Sequence, residues 1–149
     1  MIELTDRRIL KLEPDSPEWH DHRQKCFNAS EAPMMMNCFP NVKRSDLLKY
    51  KATGKWPDVS TFQQRIFDKG HKFEAIARPW AEEIFDDDLF QNVICAEHDD
   101  LLLSASFDGL DMWEVESFEH KTLNIENTKD FDNGKIALYY RCQMEQQMI

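Results

Sequence analysis

The segment Ser104-Ala-Ser-Phe-Asp-Gly-Leu-Asp111, followed by Phe118-Glu-His-Lys-Thr122, decides how the rest of the chain is interpreted. Side chains alternate between the two faces of an extended strand, so Glu119 and Lys121 are expected to point the same way. Asp108 stands at an Asp-Gly turn, where a neighbouring strand can end and present its carboxylate to the same face. Two carboxylates and one ammonium group on one surface suit a hard divalent cation and an activated water.

Two interpretations of this segment are open. The spacing of the two acids and the lysine predicts a metal-dependent nuclease site. The alternative is a plain turn beside an exposed strand, because Asp-Gly is a common turn and Glu-x-Lys carries little information in a chain that is 31% charged. Other parts of the sequence have to decide between them.

The composition predicts one folded domain spanning residues 1–149. Ten phenylalanines, four tryptophans and a hydrophobic content of 42% favour a globular core over disorder. No apolar run approaches the length of a membrane span, and the amino terminus lacks the apolar core of a signal peptide. The four cysteines are scattered without a CxxC pair, as is typical of reduced thiols in a cytoplasm. We therefore expect a cytoplasmic protein that does not use a membrane.

The net charge of −10 argues at first against a nucleic-acid partner. The charges are unevenly distributed, however. Acids cluster at positions 82–83, 86–88 and 97–100, whereas the segment 43–72 carries Lys43, Arg44, Lys49, Lys51, Lys55, Arg65, Lys69 and Lys72. A basic groove on one face is therefore compatible with the overall charge.

Helix signals dominate the first half of the chain. Ser16-Pro17 predicts an N-cap and first helical residue for a short helix that carries Arg23. Asn28-Ala-Ser30-Glu31 indicates a second helix start, whose exposed N–H groups would favour an anion. Residues 44–53 predict a further helix that ends at Gly54.

The longest predicted helix covers residues 61–85. An apolar stripe at helical spacing indicates a core-facing side, and it consists of Phe73, Ala77, Trp80, Ala81 and Ile84. Glu74 lies at the edge of this stripe, where its carboxylate could reach a site beside the core. Pro79 is expected to kink or interrupt the helix.

The hydrophobic period then changes to that of strands. Residues 91–96, 101–106 and 112–121 predict three strands in an antiparallel meander. A last helix is expected to begin near Ile136 and to carry Gln143. The fold class predicted is α/β, with the chemistry on the central strands.

Four short blocks in this order resemble the YqaJ-like viral recombinases, the group that includes phage lambda exonuclease, within the PD-(D/E)xK nuclease superfamily. The blocks are Glu18-Trp-His-x-x-Arg23 with Ala29-Ser30-Glu31; Gly70-x-x-x-Glu74-x-x-Ala-Arg78; Ser104-Ala-Ser-x-Asp108-Gly-Leu110 with Glu119-x-Lys121; and Tyr139-Tyr140-x-x-Gln143. The resemblance implies a restriction-endonuclease-like core, a mixed sheet with a three-strand antiparallel meander flanked by helices.

The resemblance also implies roles for individual residues. Catalysis would rest on Asp108, Glu119 and Lys121, the lysine orienting or deprotonating the attacking water. Mg²⁺ or Mn²⁺ would be held by Asp108, Glu119, the backbone carbonyl of His120 and Glu74. Arg23 and Ser30 would bind the 5′-terminal phosphate of DNA, and Gln143 would support the catalytic strand from behind.

The implied activity is a 5′→3′ exonuclease acting on double-stranded DNA ends in phage-type homologous recombination, inside a bacterial host. Implied partners are a single-strand annealing protein and further copies of the chain, as a trimer in the family. The chain departs from the family at Phe107, where proline is frequent, and at Gln146, where many members carry tyrosine. From the resemblance, the chain is also expected to lack the carboxyl-terminal part usual for the family. The alternative expectation is therefore a catalytically weak, truncated prophage remnant that binds DNA ends or a partner protein.

Overall fold

The computed structural model describes residues 8–55, 60–90, 93–96, 102–111, 113 and 116–149. These residues form a mixed α/β arrangement in chain order: β1 (Arg8–Leu10), α1 (Pro17–Lys25), β2 (Phe27–Asn28), a 3-10 turn (Ala29–Glu31), α2 (Ala32–Met35), α3 (Arg44–Thr53), α4 (Thr61–Phe85), β3 (Val93–Ala96), β4 (Leu103–Phe107), β5 (Gly109–Leu110), β6 (Ser117–Phe118), α5 (Ile125–Asp132) and α6 (Leu138–Gln147). The α/β class predicted from the sequence is confirmed.

The early helices begin and end where local signals place them. The side chain of Ser16 accepts a hydrogen bond from the Trp19 amide at 3.2 Å, with Pro17 as the first helical residue of α1. Helix α3 ends at Gly54, whose φ of 69° is a left-handed conformation that glycine adopts without steric cost.

A four-stranded mixed sheet in the order β1-β3-β4-β2 organises the molecule. Strand β3 pairs antiparallel with both β1 and β4, while the two-residue β2 pairs in parallel with the start of β4. The parallel pairing sets Asn28 opposite Ser104, and therefore brings the turn after α1 beside the central strand. A small buried apolar cluster lies under this junction, formed by Ala29, Ala105, Phe107 and Leu110.

The predicted three-strand meander is present only in part. Strands β3 and β4 pair antiparallel as predicted, but β6 pairs with β5 in a separate two-stranded sheet. The chain bends at Asp108, which separates β4 from β5, so that the ladder does not continue across all three segments. Parts of the predicted strands, at positions 91–92, 101, 112 and 114–115, lie outside the described residues.

Helix α4 corrects two sequence expectations. It runs without interruption through Pro79, because a proline removes one backbone N–H donor and the remaining turns keep theirs. Its apolar stripe was expected to be core, yet Trp80 and Ile84 remain 69% and 80% exposed and only Ala81 is buried. The expectation is wrong because no other described element covers this side of the helix over most of its length.

The last helix, α6, packs against the sheet and the first half of the chain. It contacts α2, the 3-10 turn and β4, which places its glutamines beside the central strand. Among the described residues, no helix is both long enough and apolar enough to pass through a membrane.

Candidate active site

The chain places Asp108 at the end of β4, where the strand gives way to β5. The Oδ2 atom of Asp108 accepts a hydrogen bond from the backbone N–H of His120 at 2.8 Å. This bond joins the two segments singled out in the sequence, although 12 positions separate them. The structure therefore brings Asp108 and Glu119 into one neighbourhood.

Glu119 is held from two sides. Lys121 forms an ion pair with its Oε1 atom, so the two side chains do lie together as the alternation of an extended segment predicts. From α6, Gln143 donates to Oε1 at 2.6 Å and Gln147 donates to Oε2 at 2.7 Å. Gln147 also donates to the carbonyl oxygen of Ser106 on β4, at 3.2 Å. Both carboxylate oxygens of Glu119 are thus oriented by helix α6.

The Asp108 carboxyl group has an unusual proton affinity. Its pKa is raised to about 6, first by burial and then by the negative charges of Glu119 and Glu74, while the hydrogen bond from the His120 N–H and the charge of Lys121 oppose the shift. A carboxylate beside other carboxylates and away from water is costly to ionise. A carboxyl group with such a raised pKa marks a candidate functional site.

Glu74 lies close enough to influence Asp108 electrostatically, but its carboxylate is engaged elsewhere. It forms an ion pair with Arg78, one helical turn later, at 3.4 Å. Arg78 is buried, and within the described part of the chain its Nε and Nη1 atoms have no hydrogen-bond partner. Arg78 therefore competes with any ligand role of Glu74.

The oxygen donors present fit a hard divalent cation in composition. Asp108 and Glu119 offer two carboxylates, and the His120 carbonyl adds a backbone oxygen; Mg²⁺ completes its shell with water. Across the residues described, no three His, Cys, Asp or Glu side chains come together closely enough to form a full metal site. The ligand set expected from the sequence, Glu74, Asp108 and Glu119, does not form such a group here. The oxygen donors that could bind the cation are therefore Asp108, Glu119 and the His120 carbonyl.

Arg23 and Ser30, the residues expected to bind phosphate, are hydrogen-bonded to each other. The Nη2 atom of Arg23 donates to Ser30 Oγ at 3.1 Å, and the guanidinium stacks over the Trp19 ring at 4.7 Å. Ser30 lies inside the 3-10 turn rather than at its cap. The cap is Asn28, whose Oδ1 atom accepts from the Ser30 amide at 3.3 Å and its hydroxyl at 3.2 Å.

The arginine–serine pair and the carboxylate site share strand β4. Asn28 Nδ2 donates to the hydroxyl of Ser106, two residues before Asp108, at 3.3 Å. Gln146, which departs from the family pattern, donates to the carbonyl oxygens of Phe27 at 2.8 Å and Ser104 at 3.0 Å. Gln146 therefore links α6 to the parallel strands β2 and β4.

The sequence predicted no contact with the site for three residues that the structure places there: Asn28, Gln146 and Gln147. Helical spacing carried a signal for Gln147, which lies four positions after Gln143 and so faces the same side of α6. For Asn28 a capping signal was present, since Glu31 follows three positions later. No local pattern reveals the contact of Asn28 with β4.

Comparisons with known proteins bear on the family and the fold. The family model of the YqaJ-like viral recombinase domain matches residues 18–149. Two solved structures of an alkaline exonuclease (LHK-Exo) from Laribacter hongkongensis, one of them in complex with dAMP, share the fold with a TM-score of 0.66 and 22% sequence identity. Each likeness covers 89% of this chain and 67% of the exonuclease chain. None of the curated proteins matches the sequence.

Proposed function

Since the chain belongs to the YqaJ-like viral recombinase domain family, we propose that it is a metal-dependent DNA exonuclease. The proposed substrate is the double-stranded DNA end, degraded 5′→3′ during phage-type homologous recombination. The observation that carries the proposal is the convergence of Asp108, Glu119 and Lys121 at the end of the central strand, joined by the His120 amide and the ion pair of Glu119 with Lys121.

The proposed cofactor is Mg²⁺ or Mn²⁺. Asp108, Glu119 and the His120 carbonyl would hold it, with Glu74 contributing if it leaves Arg78. When bound, such an ion supplies positive charge at the developing phosphate oxyanion and lowers the pKa of a coordinated water. The elevated pKa of Asp108 supports the assignment, because burial and neighbouring carboxylates produce it and a cation would relieve it.

Lys121 is proposed to orient the attacking water and to stabilise negative charge on the scissile phosphate. Its ammonium group contacts Glu119, and its side chain is 30% exposed, which leaves it accessible to a substrate. Gln143 and Gln147 are proposed to act through Glu119, by fixing the direction of its two oxygens.

The 5′-terminal phosphate is proposed to bind at Arg23 and Ser30, which we term the phosphate clamp. An arginine offers several parallel N–H donors to phosphate oxygens, and its stacking on Trp19 limits the orientations of the guanidinium. Asn28 accepts a hydrogen bond from the Ser30 hydroxyl of the clamp and donates one to the Ser106 hydroxyl, which supports coupling of end recognition to the carboxylate site.

The two similar structures add to this proposal. They belong to an alkaline exonuclease, one in complex with dAMP, and a deoxynucleoside monophosphate is the product class expected here. We further propose a single-strand annealing protein and further copies of this chain as partners, in the cytoplasm of a bacterial host. The exposed apolar residues of α4 support a protein partner.

A nucleotide-release assay tests the proposed function. Linear duplex DNA with 5′-phosphate ends is incubated with the protein and Mg²⁺, and acid-soluble nucleotides are measured. Release that needs the metal ion and starts at 5′ ends supports the proposal. A protein that binds duplex ends but releases no nucleotide with Mg²⁺ or Mn²⁺ would instead be the non-catalytic DNA-end-binding form.

A further inference from the structure

Lys51 on α3 lies beside the phosphate clamp without being part of it. Its ammonium group donates to the carbonyl oxygen of Arg23, to the carbonyl oxygen of Cys26 at 2.6 Å and to Glu31 Oε2 at 2.6 Å. An ammonium group has three N–H donors, and these contacts use all of them. Its side chain is only 10% exposed. Lys51 is therefore built into the protein and has no donor left for a substrate phosphate.

Glu31 lies between two cations and contacts Lys51 much more closely than Arg23. Its side chain is 2% exposed, and Oε2 also accepts the Asn28 amide at 2.9 Å, closing the cap of the 3-10 turn. The other oxygen, Oε1, is 4.0 Å from Arg23 Nη2 and has no hydrogen-bond partner in the part of the chain described. The charge of Glu31 is thus balanced mainly by Lys51, while Arg23 remains at the edge of ion-pair distance.

The ion pair of Lys51 with Glu31 affects how strongly Glu31 attracts Arg23. A carboxylate with no other cation nearby would draw the Arg23 guanidinium into a direct ion pair, because attraction between buried charges is strong. The guanidinium would then offer less positive charge and fewer N–H donors to a phosphate dianion. With Lys51 in place, Arg23 keeps 20% exposure and its hydrogen bond to Ser30.

Resting on the proposed function, we propose that Lys51 is a positioning residue for recognition of the DNA end. It neutralises Glu31 so that Arg23 stays free for the 5′-terminal phosphate. It also fixes the end of α1 against the 3-10 turn through the carbonyl oxygens of Arg23 and Cys26. The specificity of the clamp for phosphorylated ends therefore depends on a lysine that never touches DNA.

Binding of two duplexes that differ only in the 5′ group tests the proposal. Equilibrium affinity for 5′-phosphate and 5′-hydroxyl ends is measured by fluorescence anisotropy with Ca²⁺, and the ratio of the two Kd values is compared among variants. In Lys51→Met the preference for phosphate should fall about tenfold, as expected for loss of one charge-assisted contact. In the double variant Lys51→Met with Glu31→Gln the preference should return toward the wild-type value, since the amide still accepts the Asn28 N–H but carries no charge.

The double variant also distinguishes a loss of phosphate recognition from a loss of folding. Removing Lys51 alone leaves a buried unpaired carboxylate, whereas removing both charges does not. Lys49→Met, on the exposed side of α3, is the matched control and should keep the wild-type ratio. An unchanged ratio in Lys51→Met, or the same loss in the single and the double variant, would overturn the proposal.

Failure of the proposed function would look different. A wild-type protein that binds phosphorylated ends preferentially but releases no nucleotide would contradict the nuclease activity and leave the Lys51 comparison interpretable. A wild-type protein that binds both ends equally would overturn the clamp, and with it the role of Lys51.

Discussion

Gln143 on α6 donates a hydrogen bond to Glu119 Oε1 at 2.6 Å, across 24 positions of sequence. One helical turn later, Gln147 binds the other carboxylate oxygen at 2.7 Å. The helix that closes the described chain therefore determines where the second acid of the site points. Because Gln143 is buried, water does not compete with this hydrogen bond as it would at the surface.

Substituting Gln143 by methionine should slow nucleotide release by about tenfold while leaving DNA binding nearly unchanged, because a freed Glu119 carboxylate is less well oriented. Methionine keeps the volume and removes the donor, so unfolding stability should fall by only about 1 kcal/mol. Gln64→Met, on the exposed surface of α4, is the control. A Gln143→Met enzyme with wild-type turnover would show that Gln147 alone suffices.

Asp108→Asn and Lys121→Met should each lower turnover by at least about a hundredfold, because both groups act on the reacting phosphate in the proposed mechanism. Affinity for duplex DNA should change much less. Thermal melts verify that the variants stay folded, and Lys129→Met in α5 provides a charge-matched control for the lysine. Either variant retaining most of its activity would remove that residue from the catalytic assignment.

Local signals in the sequence were sufficient for several elements. The Ser16-Pro17 start of α1, the Gly54 end of α3 and the full extent of α4 were predicted where the structure has them. Each depends on side chains within a few residues of the boundary. The β1 strand and the two-residue β2 were missed, because only pairing with distant strands makes such short segments regular.

The candidate site was likewise predictable from the sequence only in part. The spacing of Asp108, Glu119 and Lys121 carried its signal in the sequence, and the structure brings these side chains together. The pairing of Lys51 with Glu31 carried no such signal, since helix α2 and the loop after it lie between the two residues. The exposed side of α4 was also unpredictable, because an apolar stripe indicates a covered face without saying which partner covers it.

Arg23→Ala should reduce the preference for 5′-phosphorylated over 5′-hydroxyl duplex ends, by about tenfold in the ratio of kcat/KM values. The guanidinium is the only cation hydrogen-bonded to Ser30 among the residues described, so its loss removes the charge of the clamp. Arg44→Ala is the control, because Arg44 is also basic but lies exposed on α3. Equal slowing on both ends would assign Arg23 a general electrostatic or structural role.

Addition of Mg²⁺ at pH 7.5 should raise the Tm of the wild-type protein by several degrees, because a ligand that binds only the folded state stabilises it. In Asp108→Asn the increase should be largely lost, since a neutral amide is a poorer ligand for a hard cation. Asp130→Asn on α5 controls for the change in net charge. Removing the ion with EDTA should reverse the wild-type shift, and equal shifts in all three proteins would place metal binding elsewhere.

In metal-free protein, the stability contributed by Asp108 should depend on pH in the direction opposite to that of most acids. Its pKa is raised to about 6 in the folded state, so the folded protein holds this proton more tightly than the unfolded chain does. Protonation therefore favours folding as the pH falls through 6 toward 4, and ionisation costs stability above 6. The shift corresponds to a cost of about 1 to 3 kcal/mol at pH 7.5.

Asp108→Asn should consequently be more stable than the wild type at pH 7.5 in EDTA, and the difference in free energy of unfolding should shrink as the pH approaches 4. Urea unfolding of both proteins at half-unit steps between pH 4 and 7.5 measures that difference directly. Subtracting the two curves removes the contribution of groups that titrate alike in both proteins. A difference that stays constant over this range would mean that burial and Glu119 do not raise the Asp108 pKa in solution.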